Sequence, residues 1–129
     1  MDYRTMHPTE QITQIMSRIY SRGMTTTSGG NLSYRDERGR IWVTPTSFDK
    51  AELRPEDIVC IQPDGTMVGA NRPTSEYKFH MAAMQARPEF HGVIHAHSIA
   101  LMGYSFLKTA PAVVLTTLRI ALATAGALP

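Results

Sequence analysis

The chain has 129 residues, 43% of them hydrophobic and 19% charged, with a formal net charge of +2. That length suits one domain and is too short for two, and the ordinary globular composition gives disorder no support. The basic residues Arg35, Arg38, Arg40, Arg54, Arg72 and Lys78 are scattered, so no basic run marks a nucleic-acid groove.

The first residues, Met1-Asp2-Tyr3-Arg4-Thr5, are polar and lack the apolar core of a signal peptide, which predicts a cytoplasmic protein. Ile12, Ile15, Met16, Ile19 and Tyr20 then recur at i, i+3, i+4, i+7 and i+8. This is one apolar stripe of a helix. Pro8, Thr9 and Glu10 suit its start and Gly23 its C-terminal cap. A small polar loop follows, Met24 to Asn31, with Ser28-Gly29-Gly30-Asn31 at its end. Leu32 to Arg35 and Ile41 to Thr44 predict a hairpin closed by Asp36-Glu37-Arg38-Gly39-Arg40. Thr44-Pro45-Thr46-Ser47 is a second polar loop. Ile58-Val59-Cys60-Ile61 reads as a buried strand, and Pro63-Asp64-Gly65 as the turn into Thr66-Met67-Val68. Cys60 is the only cysteine, so there is no internal disulfide framework.

Arg72-Pro73-Thr74-Ser75 opens a second helix, expected over about Ser75 to Ala86 and ended by Pro88. Phe90 to His97 reads as a strand and Ser98 to Leu107 as a helix. In the apolar stretch from Ala110 to Pro129, Lys108, Pro111 and Arg119 leave no uninterrupted run of about 20 apolar residues, so no membrane span is expected. Helices alternating with strands predict an α/β layered domain, and the hairpins predict a largely antiparallel sheet.

Three groups of residues carry chemistry. His95 and His97 stand two apart on a predicted strand, so their side chains share a face. Two neutral imidazoles there suit a zinc ion, which in catalytic sites takes three protein ligands and keeps one position open. The same spacing also suits two histidines on a polar strand face without metal. Glu76 falls in the first turn of the second helix, where it can be a base, a metal ligand or an acid favoured by the helix dipole. His80 shares its helix face and reads as a packing histidine or a further ligand. Finally, the loops containing Ser28 to Asn31, Thr46-Ser47 and Thr74-Ser75 offer hydroxyls and backbone N–H groups. Such loops can wrap a dianionic phosphate without a dedicated lysine, or serve only as turns and caps. Neither a Walker A sequence nor G-x-G-x-x-G occurs, so nucleotide binding has no support.

In order, Ser28-Gly29-Gly30-Asn31-Leu32-Ser33, Val43-Thr44-Pro45-Thr46, Asp57-Ile58-Val59, Asp64-Gly65, Pro73-Thr74-Ser75-Glu76, Arg87-Pro88 and His95-Ala96-His97 resemble the class II aldolase and adducin N-terminal domain family. The resemblance runs over most of the chain. It implies a central, mainly antiparallel sheet flanked by helices on both faces, in a tetramer. It implies one Zn2+ per subunit held by His95 and His97, with Glu76 as general acid/base and further metal ligand. It implies that Gly30, Asn31, Thr46, Ser47, Thr74 and Ser75 hold a substrate phosphate. The activity implied is zinc-dependent aldol cleavage of a ketose 1-phosphate, such as L-fuculose 1-phosphate, to dihydroxyacetone phosphate and an aldehyde. Pentose-phosphate 4-epimerases, sugar-phosphate dehydratases and non-catalytic adducin-like modules share the same motifs. The family's third zinc-binding histidine lies well downstream, whereas no histidine follows His97 here. The expected domain, residues 1–129, is thus incomplete by this resemblance: a chain cut short, a chain with an altered reading frame at its end, or one whose metal is completed by another residue or another chain. Ser47 stands where the family has glycine, which predicts backbone strain at that position.

Overall fold

A computed structural model of the protein describes residues 5–99 together with Gly103 and Phe106. The chain divides into two units, Met1–Ile99 and Ala100–Pro129; the sheet, both principal helices and the site residues lie in the first. Of the expected helix at 98–107, Ile99 and Gly103 are helical, and the rest lies outside the described residues, as does the apolar stretch at 110–129.

Helix α1, Pro8–Ser21, forms where the apolar stripe predicts it. Its N-terminus is set by His7, whose extended backbone and Nδ1 acceptor meet the Thr9 N–H, and by Pro8 in the first turn, where a missing N–H costs nothing. Gly23 ends it at φ +65°. The Gly23 N–H bonds the Tyr20 carbonyl at 2.9 Å and the Met24 N–H bonds that of Ile19 at 3.0 Å, the paired bonds of a Schellman ending. The stripe buries Ile12 and Met16 against Leu32 and Ile58. Complete burial of one such side chain is worth about 1.5–3 kcal/mol.

Strands β1 (Asn31–Arg35) and β2 (Ile41–Val43) make the predicted hairpin. Its turn is built on Asp36. The carboxylate accepts from the backbone N–H groups of Arg38 and Arg40, from Arg40 Nε at 2.7 Å and from Trp42 Nε1 at 3.0 Å. A 3-10 turn, Pro55–Asp57, leads into β3, Val59–Ile61, and the Gln62–Thr66 turn leads into β4, Met67–Val68. Helix α2 spans Tyr77–Ala86 and strand β5 spans Gly92–His95. The sheet order is β4-β3-β2-β1-β5, antiparallel throughout. β5 therefore joins the far side of the hairpin, pairing Asn31 with His95 and Ser33 with Val93.

Alternation along the strands divides the packing. Leu32 and Trp42 pack with α1, while Val43, Val59 and Ile61 pack with Tyr77 and Met81 of α2. Among the described residues no helix is long and apolar enough to cross a membrane.

Candidate active site

Three loops meet at one end of the sheet because short backbone contacts stitch them together. The first, before β1, is folded on threonines: Thr25 Oγ1 donates to the Gly29 carbonyl and Thr26 Oγ1 accepts the Gly29 N–H. The Lys50 N–H reaches the Thr27 carbonyl at 2.9 Å, joining this loop to the second. The third is joined to the second by Thr74 N–H to the Thr44 carbonyl (2.9 Å) and Thr46 N–H to the Arg72 carbonyl (3.0 Å), beside a bridge of Pro45 with Pro73. The result is a cavity of about 430 Å³ lined by Ser28 to Asn31, Pro45 to Ser47, Lys50, Thr74 to Glu76 and His97.

All six residues expected at the phosphate line this cavity: Gly30, Asn31, Thr46, Ser47, Thr74 and Ser75. Two of them have their side chains engaged within the protein. Thr74 Oγ1 accepts the Glu76 N–H, and the Asn31 amide donates from Nδ2 to Glu76 Oε2 at 2.5 Å. Ser47 holds φ +55°, the left-handed region that favours glycine. The strain expected from its departure from the family pattern is present.

Helix α2 starts about two residues later than expected, which leaves Glu76 just before its first turn. Helix α2 begins at Tyr77, because the Thr74 carbonyl and hydroxyl take the N–H groups of Tyr77 and Glu76. Glu76 is thus the residue before the helix, at φ −91°, and its side chain caps no helical N–H. It turns instead to Asn31 and to His95, whose Nδ1 lies 2.5 Å from Glu76 Oε2. The hydrogen bonds from Asn31 and then His95 hold its carboxyl below the usual carboxylate range, so it is ionised at neutral pH.

β5 ends at His95, two residues short of the expected strand, and His97 lies in the extended chain beyond. The two rings nevertheless stand together, with centroids 4.9 Å apart. His97 is held by its backbone N–H on Thr25 Oγ1 and by close approach to the first loop. A methyl group on Gly29 would lie 2.7 Å from His97 Nδ1, and one on Gly30 would lie 2.7 Å from the His95 carbonyl.

Among the described residues no group of three or more His, Cys, Asp or Glu side chains is arranged to hold a metal ion. The donor chemistry of the pair still suits one. With Nδ1–H of His95 given to Glu76, its Nε2 lone pair is left for a cation, the usual arrangement of a metal-binding histidine and its supporting carboxylate. A ligand set resting on His95 and His97 alone is incomplete.

Lys50, which the sequence did not single out, belongs to this site, and His80, expected as a packing histidine or a further ligand, lies buried behind it. Lys50 is only 2% exposed and lines the cavity. Its ammonium donates to the Phe48 carbonyl and has no carboxylate ion-pair partner among the described residues. Burial pushes its pKa down, partly opposed by neighbouring Asp49. His80 is completely buried and both of its ring nitrogens are bonded, to Ser33 Oγ at 2.6 Å and to Asn31 Oδ1 at 2.5 Å. No local pattern marks either role, since both arise from contacts across the fold.

Comparison with known proteins adds an independent line. The profile described as Class II Aldolase and Adducin N-terminal domain matches residues 10–127. The chain is 34% identical over 98 residues to the 3-oxo-tetronate 4-phosphate decarboxylase of Haemophilus influenzae, covering 76% of this chain and 47% of that protein. It is 35% identical over 92 residues to the L-fuculose phosphate aldolase of Escherichia coli, covering 70% of this chain and 42% of the relative. The solved structure of YgbL from Escherichia coli matches 78% of this chain and 48% of its own, at 31% identity and a TM-score of 0.71. The chain spans less than half the length of the curated relatives it matches.

Proposed function

The chain belongs to the class II aldolase and adducin N-terminal domain family, and on that basis we propose that it carries the phosphate cradle and the acid/base half of a zinc-dependent aldolase acting on a ketose 1-phosphate. One observation carries the reading. An ionised Glu76, hydrogen-bonded to His95, stands at a cavity walled by hydroxyl- and glycine-rich loops with a buried lysine.

The substrate's phosphate is bound by the loops at Gly30, Thr46, Ser47 and Ser75, with Lys50 supplying the positive charge. A buried ammonium lacking a carboxylate partner gains most from an arriving dianion. The phosphate fixes the sugar so that its reacting carbons reach Glu76 and the histidine pair. His95 and His97 would hold the zinc, which when bound supplies Lewis acidity for the ketose carbonyl. Glu76 moves the proton at the donor fragment's carbon. As a carboxylate it accepts that proton in the synthetic direction, and protonated it returns the proton in cleavage. The same reading takes the sheet to lie between helix layers, supported by Leu32 facing α1 while neighbouring Ser33 faces His80 of α2.

A second reading rests on the similarity to a tetronate phosphate decarboxylase. Decarboxylation of a 3-oxo acid phosphate also leaves a carbanion beside a carbonyl, so the cradle, the metal pair and Glu76 serve it equally. The test is to supply zinc and a panel of ketose 1-phosphates and 3-oxo acid phosphates, then identify products. An aldehyde plus dihydroxyacetone phosphate supports the aldolase. Carbon dioxide supports the decarboxylase, and neither product on any substrate removes both. Glu76→Gln is expected to lower kcat by about 10²–10⁴-fold, the usual share of a general acid/base. Lys50→Met is expected to raise KM for a phosphorylated substrate by roughly 10–100-fold, the loss of one charge-assisted bond.

A further inference from the structure

His80 lines no part of the cavity, yet it is tied to the carboxylate there through one intermediate. Glu76, as a carboxylate, can only accept hydrogen bonds, so the Asn31 amide must turn its Nδ2 donor toward Oε2. That leaves Asn31 Oδ1, an acceptor, facing His80 Nε2 at 2.5 Å. Nε2 must therefore carry the proton. Burial holds the His80 pKa below the ordinary histidine range, more strongly than the nearby Glu76 charge raises it, which favours the neutral ring. Nδ1 is then an acceptor, and the Ser33 hydroxyl, 2.6 Å away, donates to it. The donors run one way, from Ser33 to His80 to Asn31 to Glu76.

We propose that His80 is a positioning residue for Glu76: with its Nε2–H locked by Ser33, it holds the Asn31 amide with its N–H toward the carboxylate, and so holds Glu76 against His95. This rests on the reading of Glu76 as the acid/base. Without the Nε2–H donor, the Asn31 carbonyl loses its buried partner, and only the single bond to the carboxylate is left to set which end of the amide faces Glu76. A flipped amide would set carbonyl oxygen against carboxylate oxygen. The carboxylate would then swing from the place where its proton is transferred, while the loops that grip the phosphate would stay as they are.

The test uses the whole chain, ¹⁵N-labelled and zinc-loaded. Long-range ¹H–¹⁵N correlations at about pH 7 should show His80 neutral with the proton on Nε2, since an ordinary histidine titrates near 6.5. A proton on Nδ1 would overturn the proposal. The Asn31 side-chain amide should show one strongly downfield proton. In His80→Met, which keeps bulk without a donor, that shift should be lost. In His80→Gln, whose amide places a donor near the Nε2 position, it should return. These readings need no turnover, so they stand apart from the identity of the reaction. If the cleavage assay finds a substrate, His80→Met should lower kcat by about 10–100-fold with KM changed less than about threefold, the size expected for a supporting residue, and His80→Gln should recover most of the loss. Equal kcat losses in both variants, or an unchanged Asn31 amide in His80→Met, would leave His80 as packing alone. Should His80→Met fail to fold, Ser33→Ala takes its place. It should yield a mixture of His80 tautomers, and a single Nε2–H tautomer there would show that Ser33 locks nothing.

Discussion

Ser47 spends conformational energy at the cavity wall. A non-glycine residue at φ +55° is disfavoured by about 1–2 kcal/mol. Ser47→Gly should thus leave stability unchanged or raise it slightly, because the relieved strain is offset by greater freedom of the unfolded chain. Ser47→Val, with its branched Cβ, should lower stability by about 1–3 kcal/mol. Urea unfolding of the three proteins measures the order. Gly29 is limited by space instead. Gly29→Ala puts a methyl group 2.4 Å from Thr26 Oγ1 and 2.7 Å from His97 Nδ1, so His97 must move. On the proposed reading of His97 as a zinc ligand, zinc affinity read by competition with a chromogenic chelator should fall about 10–100-fold, as when a ligand loses its support. Cys60 is 4% exposed and burial pushes its thiol pKa up. It should resist a thiol reagent until the protein unfolds, since the thiolate is the reactive form.

At the scale of elements, the β1–β2 hairpin depends on one carboxylate. Burial pushes the Asp36 pKa up, but hydrogen bonds from Trp42, Arg40 and Arg38 together outweigh it and leave it below the ordinary 3.8. A depressed folded value means stability that is fully present above 3.8 and is lost as pH falls through the lower folded value. Asp36→Asn should therefore destabilise by about 1–3 kcal/mol at neutral pH, the range for hydrogen bonds to a charged group. The difference from wild type should shrink on acidification below that point, and chemical denaturation at several pH values follows it. The elements legible in the sequence were those with local causes. The α1 stripe and its Gly23 ending are written within one segment, as is the hairpin with Gly39 at φ +75° in its turn. One misjudged boundary is set by a partner far away in the chain and the other by a side chain three residues off. β5 stops at His95 because its partner strand starts at Asn31. α2 starts at Tyr77 because Thr74 absorbs the preceding N–H groups. The site was legible as residue types, in Glu76, His95, His97 and the three loops. Which of them bond to one another was not, because Lys50 and His80 join it only by tertiary contact.

Taken whole, the described unit keeps its chemistry at the ends of strands and its stability elsewhere. Ile12, Met16, Val43, Val59 and Ile61 form the apolar core, and none of them lines the cavity. The strand order has a consequence in time. β1 meets β2 and β3 meets β4 by short connections, and β2 meets β3 across residues 44–58, but β1 meets β5 only through pairs such as Asn31 with His95, some 64 positions apart (95 minus 31). Closing so long a loop is slow relative to closing hairpins. Since His95, His97, Asn31 and Glu76 come together only across that last pairing, a growing chain still on the ribosome has its hairpin before it has its site. The proposed histidine pair can therefore form only after the strand bearing His95 has emerged and docked, so zinc added during refolding should leave the first refolding phase untouched and act only on a later one.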